Sequence, residues 1–371
     1  MAGPPQCGPG VTVSCQIIAQ KAFQANTSPS SQEWNLSVEQ AIAKGTSLRV
    51  EYVGTHGVHE PLSIDINAIH PAICANPSGC ISGGNNKTTG TVSAGALYIP
   101  VTSTFPNPYL AASTLEAFSN SSYNAIQAEV KHNFADGLQF RANYTLAHQL
   151  DVADEVGGSE SGNSPPQTME PYDVKADWGN SAADVRHAFS ASGSYELPIG
   201  KGKRWLGGVG SISDKFVGGW QVDSIVTALT GFPIALLAGS AVSGDGNNTN
   251  PDRPALNPAF SGPIITHNHK QWYNPNAFIL PVPGTFSTLK KGTFRGPGLS
   301  KWDMSIIKTT SISERLKAEF RFEGFNILNH TNFSFPNATV FSGSAINLSA
   351  GLITSTTTTS RELQAAVKLK F

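Results

Sequence analysis

The stretch that decides the fold is residues 315–326, which read Arg-Leu-Lys-Ala-Glu-Phe-Arg-Phe-Glu-Gly-Phe-Asn. Apolar residues alternate here with charged ones. Because successive side chains of a β-strand point to opposite faces of its sheet, the stretch predicts a strand with one apolar and one charged face. The charged face, which we expect to line a water-filled lumen, consists of Lys317, Glu319, Arg321 and Glu323.

The same alternation recurs along the chain and predicts an all-β fold of about nine antiparallel strands. The other eight stretches lie near residues 34–42, 46–54, 124–134, 138–146, 187–197, 220–230, 301–309 and 361–371. Most are about nine to twelve residues long, whereas strands of soluble proteins average about five or six. A tilted strand that spans a membrane needs about nine to eleven residues, so the lengths favour a transmembrane β-barrel.

Short and long connections alternate between these strands. Gly45 and Gly137 mark two tight turns, because glycine tolerates the positive φ that such turns need. Long connections run over about 55–122, 151–186, 231–300 and 327–361. Outer-membrane barrels have short periplasmic turns and long extracellular loops, so this order predicts one. A soluble β-sandwich also alternates along its strands and remains the alternative architecture.

The composition excludes several classes of protein. The 371 residues carry a formal charge of 25 − 26 = −1, and only 14% are charged. That balance gives no excess of positive charge that would favour binding to nucleic acid. The 36 Gly and 24 Pro argue against a helical bundle. No apolar run reaches the ~18 residues of a membrane helix. The first residues lack the basic and apolar regions of a signal peptide.

The number of strands predicts that the chain is the C-terminal portion of a larger barrel, or that it assembles with something else. The first and last of nine antiparallel strands run in the same direction, whereas single-chain bacterial barrels have even numbers of strands. We therefore expect residues 1–33 to be a lead-in resembling an extracellular loop, and residues 34–371 to be a partial barrel domain. At least one further strand is expected before residue 34, and no plug is recognised in the sequence.

Aromatic and cysteine residues suggest further structural features. Trp34, Tyr52, Trp220 and Trp302 lie near strand ends, as interfacial aromatics do, and Phe371 ends the last strand. Four cysteines allow three disulfide pairings, and their spacing favours Cys7 with Cys15 and Cys74 with Cys80. A zinc site is the rival interpretation, although the spacings suit it poorly.

Motifs for catalysis are absent, so we predict neither enzymatic activity nor a cofactor. The sequence has no HExxH, GxSxG or Walker loop. His56 with His59, and His267 with His269, have spacings that could ligate a metal, but both pairs lie in predicted loops. The stretch 244–252 superficially resembles a calcium loop. It lacks the usual glycine and terminal glutamate, so a turn cluster is the better interpretation.

Several sequence blocks together resemble the Oar-like barrels of TonB-dependent transporters. They are Glu33–Val38, Arg49–Gly57, Asp184–Phe189, Tyr195–Gly200, Gly218–Gln221, Gly292–Gly298, Glu319–Asn326, Asn329–Phe333 and Ser360–Gln364. The resemblance covers roughly residues 33–371. It implies a 22-stranded barrel closed by a plug, with TonB acting through that plug, and it implies that the barrel-assembly machinery reads Phe371.

The predicted function is therefore ligand capture by long extracellular loops and passage through a barrel lumen in a Gram-negative outer membrane. The expected partners are membrane lipid, the assembly machinery, the missing strands and plug, TonB, and an unidentified extracellular ligand. A barrel-anchored surface adhesin or structural protein is the first alternative. A soluble carbohydrate-binding β-sandwich is the second.

Overall fold

Nine long strands form one antiparallel sheet in the computed structural model, and each strand pairs with its neighbours in sequence. The structure describes residues 27–65, 72–82, 90–98, 113–135, 137–152, 168–245 and 252–371. The strands are β1 (Ser30–Ala43), β2 (Thr46–Asp65), β3 (Ser113–Ala135), β4 (Leu138–Asp151), β5 (His187–Glu196), β6 (Trp220–Leu229), β7 (Leu299–Ser311), β8 (Lys317–Phe325) and β9 (Glu362–Lys370). The prediction of about nine antiparallel strands is confirmed. Because they form a single sheet, the sandwich interpretation is wrong.

The cross-strand register sorts the side chains of all nine strands onto two faces. One row of the apolar face consists of Val38, Val50, Ala128, Tyr144, Phe189 and Ala228. The adjacent row of the opposite, polar face consists of Glu39, Arg49, Glu129, Asn143, Ser190, Thr227 and Lys301. A slip of one residue in any pairing would exchange the faces of that strand, so the alternation specifies the register.

The connections at one end of the sheet, called the turn end, are short. Gly45 has φ 72° and Gly137 has φ 82°, which confirms the positive φ expected at both tight turns. Between β7 and β8 the chain reverses over residues 312–316, where the Ile312 amide donates to the Leu316 carbonyl at 2.8 Å. The fourth connection, residues 197–219, contains helix α1 (Ser211–Val217).

Strands β2 and β3 extend well beyond the lengths predicted from the sequence. The prediction of a loop over about 55–122 is wrong at both ends, since β2 continues to Asp65 and β3 begins at Ser113. Bulges between Gly57 and Leu62 interrupt the alternation there and explain the error. Leu62 is fully buried and belongs with Val152 to a small apolar cluster against which Trp178 packs. The extension therefore packs against the long loops.

The long connections at the other end pack into a layer with its own core, here called the loop layer. Its core centres on Tyr273, Val340 and Phe341, contributed by residues 230–298 and 326–361. Short paired strands order it: Pro233–Ile234 with Phe294–Arg295, Ala255–Leu256 with Phe278–Ile279, Ile265–Asn268 with Gln271–Tyr273, and Phe341–Ser342 with Ala345–Ile346.

Smaller elements complete the described loops. The loop between β2 and β3 holds two short strand pairs, Ala72–Ile73 with Leu97–Tyr98 and Cys80–Ser82 with Gly90–Val92. Gly179–Asn180 pairs with the end of β4. Two single-turn 3₁₀ helices span Val174–Asp177 and Pro275–Ala277. None of the helices in the described ranges is both long and apolar enough to cross a membrane.

The two faces of the sheet predict opposite responses to an added charge. Ala191 on the apolar face and Ser190 on the polar face are neighbours in β5. If the apolar face contacts lipid, Ala191→Arg will lower the free energy of unfolding from vesicles by about 2–4 kcal/mol. The control Ser190→Arg will change it little, because its side chain stays among polar groups. Urea-induced unfolding in vesicles measures both, and equal losses would contradict the assignment of the faces.

Candidate functional site

Two connected surfaces are candidates for function: the polar face of the sheet and the loop layer above it. The polar face crosses every one of the nine strands. The loop layer packs over the ends of β2 and β4 through Leu62 and Val152.

The predicted lumen charges of β8 all lie on the polar face, and three of them, Glu319, Arg321 and Glu323, interact with one another. Glu319 accepts a bond from the Lys370 ammonium of β9 and lies 3.8 Å from the Arg321 guanidinium. Arg321 also donates to Glu323 at 2.9 Å, and Glu323 accepts from Gln364. Across the strands, Lys317 is opposite Lys370. The cluster forms a cross-strand network, which stabilises the sheet and gives this face alternating charge.

A second polar cluster lies on β3 to β6 towards the turn end. Arg141 and Glu129 form an ion pair across the strands at 3.4 Å. Gln221 donates to Ser194 at 2.9 Å and to Asp223 at 2.7 Å. A concave space of about 630 Å³ lies here, lined by Arg141, Gln221, Ser194 and Asp223 together with Lys131, Gln139 and Ser192. Polar donors and acceptors of both charges therefore line a water-accessible hollow.

The four predicted interfacial aromatics lie on the apolar face. Trp34 lies over Gly54 of the next strand, where any added Cβ would come within 2.2 Å of the indole nitrogen. Tyr52 donates its hydroxyl to Asn124 at 2.7 Å. Trp302 donates to Ser224 at 2.8 Å, and Trp220 donates to the Phe216 carbonyl at 3.2 Å. Each has an apolar body and a bonded polar atom, which suits the boundary between lipid and water.

Buried ion pairs join separate segments of the loop layer. Arg253 pairs with Asp177, and both side chains are at least 97% buried. The same guanidinium donates to the Leu289 carbonyl at 2.8 Å and to the Ala176 carbonyl at 3.1 Å. Lys291 pairs with Asp151 at the end of β4, again with both groups buried. Each pair brings together distant parts of the chain.

A third ion pair links two of the sequence blocks that carry the family resemblance. Asp184, from one block, accepts from Arg295, which belongs to the other. Arg295 also donates to the Asp184 carbonyl at 2.8 Å and to the Gly231 carbonyl at 3.0 Å. Arg186 lies 3.5 Å from the same carboxylate. These residues form a structural cross-link where β5 begins.

Two buried asparagines fix the path of the chain as it leaves β8. Asn326, at φ 48°, donates from its amide side chain to the carbonyls of His330 and Thr359. Asn332 bonds both backbone groups of Ser300, at 2.8 and 3.0 Å. The block around 326–333 therefore joins β7, β8 and the segment before β9.

Burial shifts the pKa of two groups in the loop layer. Desolvation raises the pKa of the Asp252 carboxyl, although Ser243 donates to it from its amide at 2.7 Å and from its hydroxyl at 3.0 Å. Desolvation also raises the pKa of the Tyr273 phenol, whose hydroxyl donates to the Asn337 carbonyl at 2.7 Å. Both groups therefore favour their neutral forms more than they would in water.

The histidines weighed as metal ligands make other contacts. His56 bonds the Ser121 carbonyl at 2.9 Å. His267 meets Trp272 edge-on and His269 stacks on Phe333, each with ring centroids 5.2 Å apart. In the described ranges, no group of three or more His, Cys, Asp or Glu residues could hold a metal. Within 244–252, residues 246–251 lie outside those ranges.

The cysteines fall into two groups. Cys74 and Cys80 form a disulfide in the loop between β2 and β3. Cys7 and Cys15 lie outside the described residues, as does most of the predicted lead-in 1–33. At the other end of the chain, Phe371 follows β9 and its side chain is almost fully exposed.

Comparison with known proteins gives one family and two structural likenesses. A family model described as "Outer membrane beta barrel domain" matches residues 4–364. The structure of the outer membrane transporter YddB from Escherichia coli is 8% identical, with a TM-score of 0.44, over 94% of this chain and 33% of that one. The FpvAI chain of an FpvAI–pyocin S2 complex is 10% identical, with a TM-score of 0.38, over 92% of this chain and 27% of that one.

The chain thus spans about a third or less of the length of these solved structures. A search of curated proteins found no match.

Removing one member of a buried ion pair should loosen the loop layer. Arg253→Met leaves the buried Asp177 carboxylate without its cation, and we expect a loss of about 3–5 kcal/mol. Hydrogen exchange of the amides around 253 and 289 measures the loss as lower protection. The exposed control Lys270→Met should change stability by less than about 0.5 kcal/mol. Equal protection in the two variants would show that the pair does not hold the layer together.

The raised pKa of Asp252 predicts how stability depends on pH. Folding raises this pKa above its unfolded value of about 3.9, so the contribution is most favourable below pH 4 and is lost as pH rises through the folded pKa. Asp252→Asn removes this loss of stability at higher pH, because the amide side chain does not ionise. The stability of the variant relative to the wild type should therefore increase between pH 4 and pH 7, measured by urea unfolding with near-UV circular dichroism. A difference that does not vary with pH would refute the shift.

Proposed function

The chain belongs to the outer membrane β-barrel domain family, and on that premise we propose that it forms part of the wall of a transporter. The observation that carries the proposal is the polar face, which extends across all nine strands opposite an apolar face. In an outer-membrane barrel the apolar side meets lipid and the polar side encloses water. A ligand held by the loop layer would enter the space lined by this polar face.

The proposed transporter class is TonB-dependent and Oar-like. Support comes from the sequence blocks named above, of which those at 184–189 and 292–298 meet in the Asp184–Arg295 pair. On this proposal the plug and the segment that contacts TonB are supplied by parts of the protein other than the nine strands. The barrel-assembly machinery would recognise the exposed terminal aromatic Phe371. No cofactor or catalytic step is involved.

The two edges of the sheet support the proposal that further strands complete the barrel. In the described residues, β1 and β9 each pair on one side only. Unpaired backbone groups are not tolerated in hydrocarbon, so both edges need partners. Since they are the first and last of nine antiparallel strands, with seven between them, β1 and β9 run in the same direction. An all-antiparallel barrel therefore needs an odd number of additional strands, whereas a second copy of this sheet would place β9 beside β1 in parallel.

A barrel-anchored adhesin is the second candidate, and one feature of the loop layer favours it. The layer has its own apolar core, and it presents the exposed side chains of Leu328 and Leu348 to solvent. Binding residues are disproportionately found on loops that a packed scaffold holds in place, so such a layer suits attachment.

Uptake and attachment distinguish the two candidates. The probes are a ferric siderophore, a maltodextrin and a peptide mixture, each labelled and offered to cells that carry the full-length protein. If the proposal is correct, uptake of one probe depends on both this protein and TonB, and Arg141→Gln on the polar face reduces it more than Lys270→Gln on the loop layer does. Attachment that depends on the protein, with no TonB-dependent uptake of any probe, would favour the adhesin.

A further inference from the structure

The connection between β5 and β6 exposes apolar side chains at the turn end of the sheet. Trp205, Leu206, Ile212 and Phe216 have exposed fractions of 53%, 56%, 79% and 73%. Ile212 and Phe216 are four residues apart in α1 and so project from the same side of the helix. This surface, here called the turn-end patch, is too apolar to be an ordinary solvent-exposed turn.

The turn-end patch adjoins the apolar face of the sheet. Trp220 donates its indole N–H to the Phe216 carbonyl at 3.2 Å, and Thr310 donates its hydroxyl to the Lys215 carbonyl at 2.7 Å. The Lys308 ammonium bonds the Gly218 carbonyl. Trp220, Lys308 and Thr310 all lie on the apolar face, which places α1 on the side of the sheet that contacts lipid.

The turn-end patch is also basic. Lys201, Lys203, Arg204 and Lys215 are all exposed. Asp214 is the only acidic residue between 198 and 219, so the net charge of the segment is 4 − 1 = +3. Asp214 is half-buried and accepts a hydrogen bond from the Lys201 amide at 2.6 Å. The Lys201 ammonium donates to the Ser211 hydroxyl at 3.0 Å, and none of the salt bridges found among the described residues involves any of the four cations.

We propose that the turn-end patch is an interfacial anchor that binds the anionic phospholipid leaflet on the periplasmic side of the outer membrane. Ile212 and Phe216 would enter the boundary between headgroups and acyl chains, and the four cations would contact lipid phosphates. A short element with apolar residues beside basic ones lies in such an interface. Its continuity with the apolar face selects lipid over a soluble partner. The inference rests on the outer-membrane location and not on the proposed transport.

Photo-crosslinking tests where the turn-end patch lies. p-Benzoylphenylalanine replaces Ile212 in the full-length protein in outer membranes, and mass spectrometry identifies its adducts. We expect phospholipid adducts. The same probe at Leu348, exposed in the loop layer at the opposite end, is the control and should give no adduct with phospholipid of the periplasmic leaflet. Adducts with a protein at position 212 would overturn the proposal in favour of a periplasmic partner. No adduct at position 212 would overturn it in favour of a surface that faces water.

A charge variant tests the basic half of the turn-end patch. In vesicles of phosphatidylethanolamine and phosphatidylglycerol at a four-to-one ratio, the probe at position 212 should enrich adducts of the anionic lipid. Lys203→Gln with Arg204→Gln should lower that enrichment towards the one-in-five share of the anionic lipid in the bilayer, because each basic residue adds to the attraction for an anionic surface. Lys270→Gln with Lys290→Gln removes the same charge from the loop layer and should preserve it. Equal enrichment in both double variants would overturn the electrostatic part of the proposal.

Discussion

Backbone pairing in a membrane is the constraint on which the rest of this structure depends. A strand in hydrocarbon must satisfy its N–H and C=O groups through neighbouring strands, and it must turn its apolar side chains outward. Each pairing between the nine strands satisfies the backbone groups that face each other, and on the apolar face it places most apolar residues opposite apolar ones. Because side chains alternate along each strand, the apolar residues on one face leave the polar residues on the other. The proposed route for a ligand runs along that polar face.

The alternating strands could be predicted from the sequence because their signal is local. Residues 315–326 and the glycines at 45 and 137 carry their structural meaning within a few positions. The extension of β2 and β3 could not be predicted in this way. Bulges shift the alternation after Gly57, and the apolar residue that secures the extension, Leu62, packs against residues far along the chain.

The loop layer could not be predicted from the sequence either, because its contacts also join residues that are far apart in the chain. Its ion pairs join residues 76 positions apart in Arg253–Asp177 and 140 apart in Lys291–Asp151. Nothing in the local sequence identifies these partners, since a single charged residue in a loop usually faces water. A buried pair constrains geometry more than it adds stability, so we interpret these pairs as devices that fix how the long connections pack. Two of the sequence blocks that resemble Oar-like barrels are joined by such a contact, because Asp184 belongs to one block and Arg295 to the other.

The most direct test that one face of the sheet contacts lipid and the other contacts water is a scan along β5 of how accessible each position is to lipid-soluble and water-soluble reagents. Single cysteines at positions 188–195 would carry a nitroxide, in a background where Cys7 and Cys15 are serine and the Cys74–Cys80 disulfide is kept. Labels at 189, 191, 193 and 195, on the apolar face, should respond to dissolved oxygen, which concentrates in lipid. Labels at 188, 190, 192 and 194, on the polar face, should instead respond to a water-soluble nickel chelate. Accessibility without a period of two, or with the faces exchanged, would contradict this assignment of the faces.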